Sequence, residues 1–182
     1  IYSDGWLMHR PEGFDKFGRD QWNRCYVRCT GHDLHLLFDL NGERLTEFAL
    51  PAGTKGYAKT GLLGLQVHPG LESEEVAARF KNLELRELPV FDAKEFTLKE
   101  NGFLEAAKDS GWVDLIDAEL SAWQPHGGDG QGFEVEDGVL CLRTKGGASE
   151  LRTRADYGDF SLRMEFKTLR GANSGVFLRS SR

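Results

Sequence analysis

A two-residue alternation of apolar and polar side chains runs through most of this chain, and it restricts the fold to pleated sheet. In WNRCYVRC, residues 22–29, Trp22, Cys25, Val27 and Cys29 fall against Arg24, Tyr26 and Arg28. That is nearly the period that sends successive side chains to opposite faces of a strand. DLHLLFDL puts Leu34, Leu36 and Phe38 on one face, and Asn41-Gly42 after it is a strong hairpin signal, with ERLTEFAL as the return strand. GLLGLQVHPG reads as an apolar strand with glycine bends, and ARFKNLELREL alternates Phe80, Leu83, Leu85 and Leu88 with charge.

Residues 89–111 break the pattern. They carry a proline, many charges and one short helical stretch near 103–108, and they read as a connector between two strand-rich halves. Beyond them the alternation resumes. FEVEDGVLCLRT predicts a hairpin turning at Glu136-Asp137-Gly138, and Phe160, Leu162, Met164 and Phe166 alternate with Ser161, Arg163, Glu165 and Lys167. Many strands and little helix predict an all-β, antiparallel two-sheet sandwich whose inner faces supply the core.

The 182 residues suit one domain, and the 22 glycines against 5 prolines suit glycine turns between short strands. A net charge of −6 without a Lys/Arg cluster argues against nucleic acid as a partner. No apolar run reaches the roughly 18 residues of a membrane span. Cys25 and Cys29 would lie about 13 Å apart along one strand at ~3.3 Å per residue, too far for a disulfide. These two and Cys141 read as small buried hydrophobes.

GWVDLIDAELSAW, FEVEDGVL, SELRTRADYGDFSLRMEF and GANSGVFLR resemble, in that order, the first half of the 3-keto-disaccharide hydrolase domain, a concanavalin-A-like jelly roll of bacterial sugar-degrading systems. QWNRCYVRCTGHDLHLLFDLNGERLTEF, GLLGLQVHPG and VAARFKNLELREL resemble its second half. The halves stand in reversed order. We expect one sandwich over 1–182, built from 1–88 and 112–182 with 89–111 as connector, as in a circular permutant. A fragment of a tandem protein is the alternative, and a homodimer formed by strand exchange would satisfy the same strands. In the family a strand with an acidic residue and a glutamine tends to follow; none follows Arg182 here, which puts activity in doubt.

The candidate site residues each admit two readings. Asn173 and Arg179, in NSGVFLR, suit sugar oxygens as amide and guanidinium donors. That reading rests on Phe177 and Arg179 sharing one strand face lined for a polar ligand; in the alternative, Asn173 is a turn residue and Arg179 is solvated. Glu165 is a solvated strand residue or an acceptor and base on a concave sheet. Gln66 and His68 share one face of an apolar strand, where unpartnered polar groups are costly; His9, His32 and His126 fall in loops. Trp6, Trp22, Trp112 and Trp123 are core residues before they are sugar platforms. HGGDGQG has too few oxygen ligands for calcium, and no metal-ligand spacing occurs.

The resemblance implies a carbohydrate ligand, no cofactor, an extracytoplasmic bacterial setting and cleavage of a 3-keto-glycoside. Abstraction of the proton at C2 by His68 or Glu165 would drive elimination at C1, with water addition completing net hydrolysis. Arg179, Asn173 and Gln66 would polarise the ketone and hold hydroxyls. A non-catalytic carbohydrate-binding module is the alternative function.

Overall fold

The computed structural model describes residues 17–18, 20–31, 34–51, 54, 58–67, 76–88, 111–127, 132–143, 149–169 and 174–181. Its strands are β1 (Asn23–Thr30), β2 (His35–Leu40), β3 (Glu43–Ala49), β4 (Leu62–Val67), β5 (Val76–Glu87) and β6 (Val113–Asp114). They continue with β7 (Trp123–His126), β8 (Phe133–Glu136), β9 (Val139–Arg143), β10 (Ser149–Thr153), β11 (Phe160–Thr168) and β12 (Ser174–Ser180). Every pairing between them is antiparallel. The predicted all-β two-sheet sandwich is what forms. The helical stretch near 103–108 lies outside the described residues.

Eight strands make one sheet in the order β3-β2-β1-β11-β5-β9-β8, with β6 beside β5, and four make the other in the order β12-β4-β10-β7. Strands from before residue 90 pair with strands from after residue 111 in both sheets: β1 and β5 with β11, and β4 with β10 and β12.

The hairpins show how short-range chemistry sets register. β2 and β3 are joined by Asn41 and Gly42, at φ +51° and +88°. β8 and β9 are joined by Asp137 and Gly138, at +51° and +74°. Two residues at positive φ turn a strand pair with the right-handed twist the sheet already has.

Between the sheets, Cys25, Val27, Cys29, Phe80, Leu140, Leu142, Phe160 and Leu162 from the larger one meet Leu63, Leu65, Trp123 and Leu151 from the smaller. Each such aliphatic or aromatic side chain contributes about 1.5–3 kcal/mol by leaving water. The inward stripe of β1 differs from expectation at its start. Asn23, fully buried, takes the place given to Trp22, which is half-buried. Its amide donates to the carbonyls of Gly18 (2.7 Å) and Gln21 (3.0 Å) and accepts from the Gly18 N–H (2.8 Å). Burial of that amide is tolerable because its hydrogen bonds are made. The indole of Trp123 also buries a polar atom, satisfied by the Leu115 carbonyl at 2.6 Å.

All three cysteines are buried and free. Burial pushes the Cys25 thiol up to about 12, and the Cys29 thiol to about 11. An apolar cavity of about 310 Å³ remains between β12 and the inner faces of β1, β2 and β11.

Candidate functional site

The outer face of the four-stranded sheet gathers polar side chains in a register that no single strand reveals. Gly175, Gln66, Glu150 and His126 stand opposite one another across β12, β4, β10 and β7. Phe177, Gly64, Arg152 and Gln124 form the neighbouring row. Directly opposed residues place their Cβ atoms about 4.5–5.5 Å apart. Gln66, Glu150 and His126 are therefore within reach of one small ligand.

Two glycines let neighbouring side chains lie close against this face. A Cβ on Gly64 would meet the Phe177 ring at 3.1 Å, so the ring lies over Gly64. A Cβ on Gly175 would stand 3.6 Å from Gln66 Oε1, so that amide leans over bare backbone. Ser174 Oγ donates to the Gln66 carbonyl at 2.9 Å and holds β12 on β4. Glu150 is oriented by Arg152, whose Nε donates to its carboxylate at 2.7 Å while Nη1 donates to the Ser181 carbonyl at 3.1 Å. Their side chains are only 23% and 15% exposed, so water screens this pair less than a surface one. The arrangement presents a fixed carboxylate, an amide that donates and accepts, an exposed imidazole and an aromatic wall. That is a set for hydroxyl and carbonyl groups on a ring.

Of the predicted site residues that are described, Gln66, Glu165 and Arg179 do not share a face. Gln66 belongs to this face, whereas Glu165 stands on the outer face of the other sheet. Sheets pack about 10 Å apart, so the two cannot hold one sugar. Glu165 is engaged there, accepting from Asn82 Nδ2 at 2.8 Å and pairing with Lys81 Nζ at 3.5 Å. His68 and Asn173 lie outside the described residues.

Arg179 corrects the expectation that it shares a ligand-facing side with Phe177. The pairing of β12 with β4 shifts between Phe177 and Ser180, and Arg179 sits at φ +51°. That irregularity breaks the alternation and turns the side chain inward, leaving the residue 6% exposed. Its guanidinium donates to Gly158 O (3.0 Å), Gly31 O (2.9 Å) and Asp159 Oδ1 (2.8 Å), so each nitrogen is occupied by protein.

Sequence reasoning passed over Glu150, Arg152 and His126. SELRT does signal that Glu150 and Arg152 share a side, opposite Leu151. His126, expected in a loop, is the last residue of β7 and pairs with Glu150. Its proline-containing strand, WQPH, carries no alternation to betray it. Among the described residues no group of three or more His, Cys, Asp or Glu is placed to hold a metal ion.

Residues 111–182 match the family model of the 3-keto-alpha-glucoside-1,2-lyase-like domain. This is the family that GWVDLIDAELSAW to GANSGVFLR resembles, and the match supports a glycoside-related function. The chain matches no curated protein.

Proposed function

We propose, from that lyase-like segment and the polar row it helps to build, that this chain acts on 3-keto-glycosides seated on the outer face of the four-stranded sheet. The observation that carries the reading is the cross-strand row of Gln66, Glu150 and His126 beside Phe177. β7, β10 and β12 come from the matched segment, and β4 adds Gln66 from the other half.

The chemistry follows from the substrate class. A ketone at C3 acidifies the proton at C2. A base removes that proton, the electron pair forms the C1–C2 double bond, and the C1–O bond breaks with its electrons leaving on the departing alcohol, which takes up a proton. Addition of water to the unsaturated product completes net hydrolysis. His126 is the base in this reading, because Glu150 is already committed to Arg152. The Gln66 amide donates to the ketone oxygen, where negative charge develops. Glu150 accepts from a hydroxyl, and Phe177 packs on the ring face.

The test is turnover and binding of a 3-keto-glucoside by the wild type and by His126→Ala, Glu150→Gln and Gln66→Ala. His126→Ala should lose turnover by 10²-fold or more, in the range of lost general-base catalysis, and keep binding. The other two should weaken binding. His68→Ala is the companion variant: loss of turnover there, with His126→Ala unaffected, moves the base to His68. Full activity in all four removes the site. A second reading is a carbohydrate-binding module without chemistry, favoured by the Glu150–Arg152 pair, which makes the carboxylate a fixed acceptor. Binding without product would establish it.

A further inference from the structure

We propose that the apolar cavity between the two sheets is a binding site, separate from the polar outer face, for a flat aromatic molecule that carries a hydroxyl group. The cavity follows from unequal sheet widths. At about 4.8 Å between neighbouring strands, the path from β3 to β8 spans about 29 Å and that from β12 to β7 about 14 Å. Among the described residues, the smaller sheet therefore leaves part of the larger one's inner face uncovered. The gap falls beside β12, the end strand of the smaller sheet, as a space of about 310 Å³. Roughly half that volume, about 150 Å³, is enough for an apolar cavity to take up benzene.

The walls select the chemistry of the ligand. Val27, Leu36, Phe38, Phe80, Met164 and Phe166 stand among them, and none of the described lining residues is charged. A sugar would leave most of its hydroxyls unpaired in such a space. An aromatic ring would instead meet three phenylalanines and the thioether of Met164, contacts that favour it over a saturated ring of similar size. Phe80 and Phe166 already stand 6.5 Å apart, centre to centre, and tilted by 30°. That is within the spacing at which aromatic rings attract one another.

Two hydroxyl-bearing residues, Thr168 and Ser174, interrupt the apolar lining. Ser174 Oγ gives its proton to the Gln66 carbonyl at 2.9 Å, so toward a ligand it is left as an acceptor. It calls for a donor on the ligand, which a phenolic hydroxyl supplies. The cavity is also reachable from outside. Phe38, Val176 and Leu178 pack against the core yet remain half-buried, so solvent meets the inner face between β2 and β12.

Calorimetric titration of the full chain with 2-naphthol tests the proposal, with decahydro-2-naphthol, its saturated counterpart, and 2-methoxynaphthalene as comparators. The naphthol should bind about 5-fold more tightly than the saturated alcohol, which lacks the ring contacts. It should also bind about 5-fold more tightly than the methyl ether, which lacks the donated hydrogen bond. Its binding should carry a negative heat-capacity change, the mark of apolar burial. Val176→Phe and Leu178→Trp fill the space from β12, and each should weaken binding roughly 10-fold or more while keeping the melting temperature. His126→Ala, on the outer face of the smaller sheet, should leave it unchanged, so this site and the proposed catalytic one fail separately. Absence of saturable binding overturns the proposal, as do equal affinities for the three compounds or binding that survives both filling variants. A preference over the methyl ether that persists in Ser174→Ala overturns the hydroxyl assignment.

Discussion

Arg179 and Asp159 meet at 2.8 Å with their side chains 3% and 14% exposed, and through them β12 of one sheet is tied to the β1–β2 loop of the other. Asp159 Oδ1 also accepts from the Gly31 N–H at 2.9 Å, while Arg179 donates to the Gly31 carbonyl. The pair therefore closes one end of the sandwich.

Removing the arginine should destabilise the protein strongly. Arg179→Ala leaves a largely buried carboxylate and two carbonyls without their donor, and loss of one partner of a buried pair costs about 3–5 kcal/mol. Arg179→Lys should recover only part of that, since an ammonium cannot reach three acceptors as a fork does. Urea unfolding checks it. A loss under about 1 kcal/mol for Arg179→Ala would show the pair to be dispensable.

Gly61 should tolerate no side chain. A Cβ there would lie 2.5 Å from the Arg179 carbonyl carbon and 2.6 Å from the Ser180 carbonyl oxygen, both backbone atoms that cannot swing away. Gly61 also exchanges two hydrogen bonds with Tyr157, at 3.1 and 2.8 Å. Gly61→Ala should cost about 1–3 kcal/mol through overpacking, measured by thermal unfolding. Gly42→Ala meets no atom within 4 Å, so its cost should come from the positive φ alone.

Alkaline pH should weaken the fold through its thiols. Burial raises Cys25 from 9.0 to about 12 and Cys29 from 9.0 to about 11, so the native state keeps protons that the unfolded state releases. The contribution is whole below the unfolded thiol value. It falls as pH rises through the window up to those folded values, by about 1.4 kcal/mol per pH unit for each thiol. Unfolding midpoints between pH 7 and 10.5 should show the decline, and Cys25→Ala with Cys29→Ala should flatten it. An unchanged slope would assign the alkaline loss to other groups.

Trp123→Phe should cost more than its change in area. The substitution keeps the ring in the core but leaves the Leu115 carbonyl without the donor it holds at 2.6 Å. A buried acceptor left unpaired costs about 1–3 kcal/mol. Chemical denaturation measures it, and a near-neutral result would mean that another donor reaches the carbonyl.

What the amino-acid sequence determined by itself is local. Side-chain alternation required strands, Asn41-Gly42 and Asp137-Gly138 required tight hairpins, and the apolar stripe of β11 marked its inner face. Each depends only on neighbours a few positions apart. Tertiary structure alone decided what lies across a strand. Glu150 faces Gln66 and His126 through pairing between distant segments, and one irregularity in β12 turned Arg179 from the ligand side into the interior. Glu165 and Gln66 carry similar polar-in-apolar signatures, yet they stand on opposite outer faces. Alternation states that a residue changes sides at each step; only sheet packing states which side belongs to which sheet.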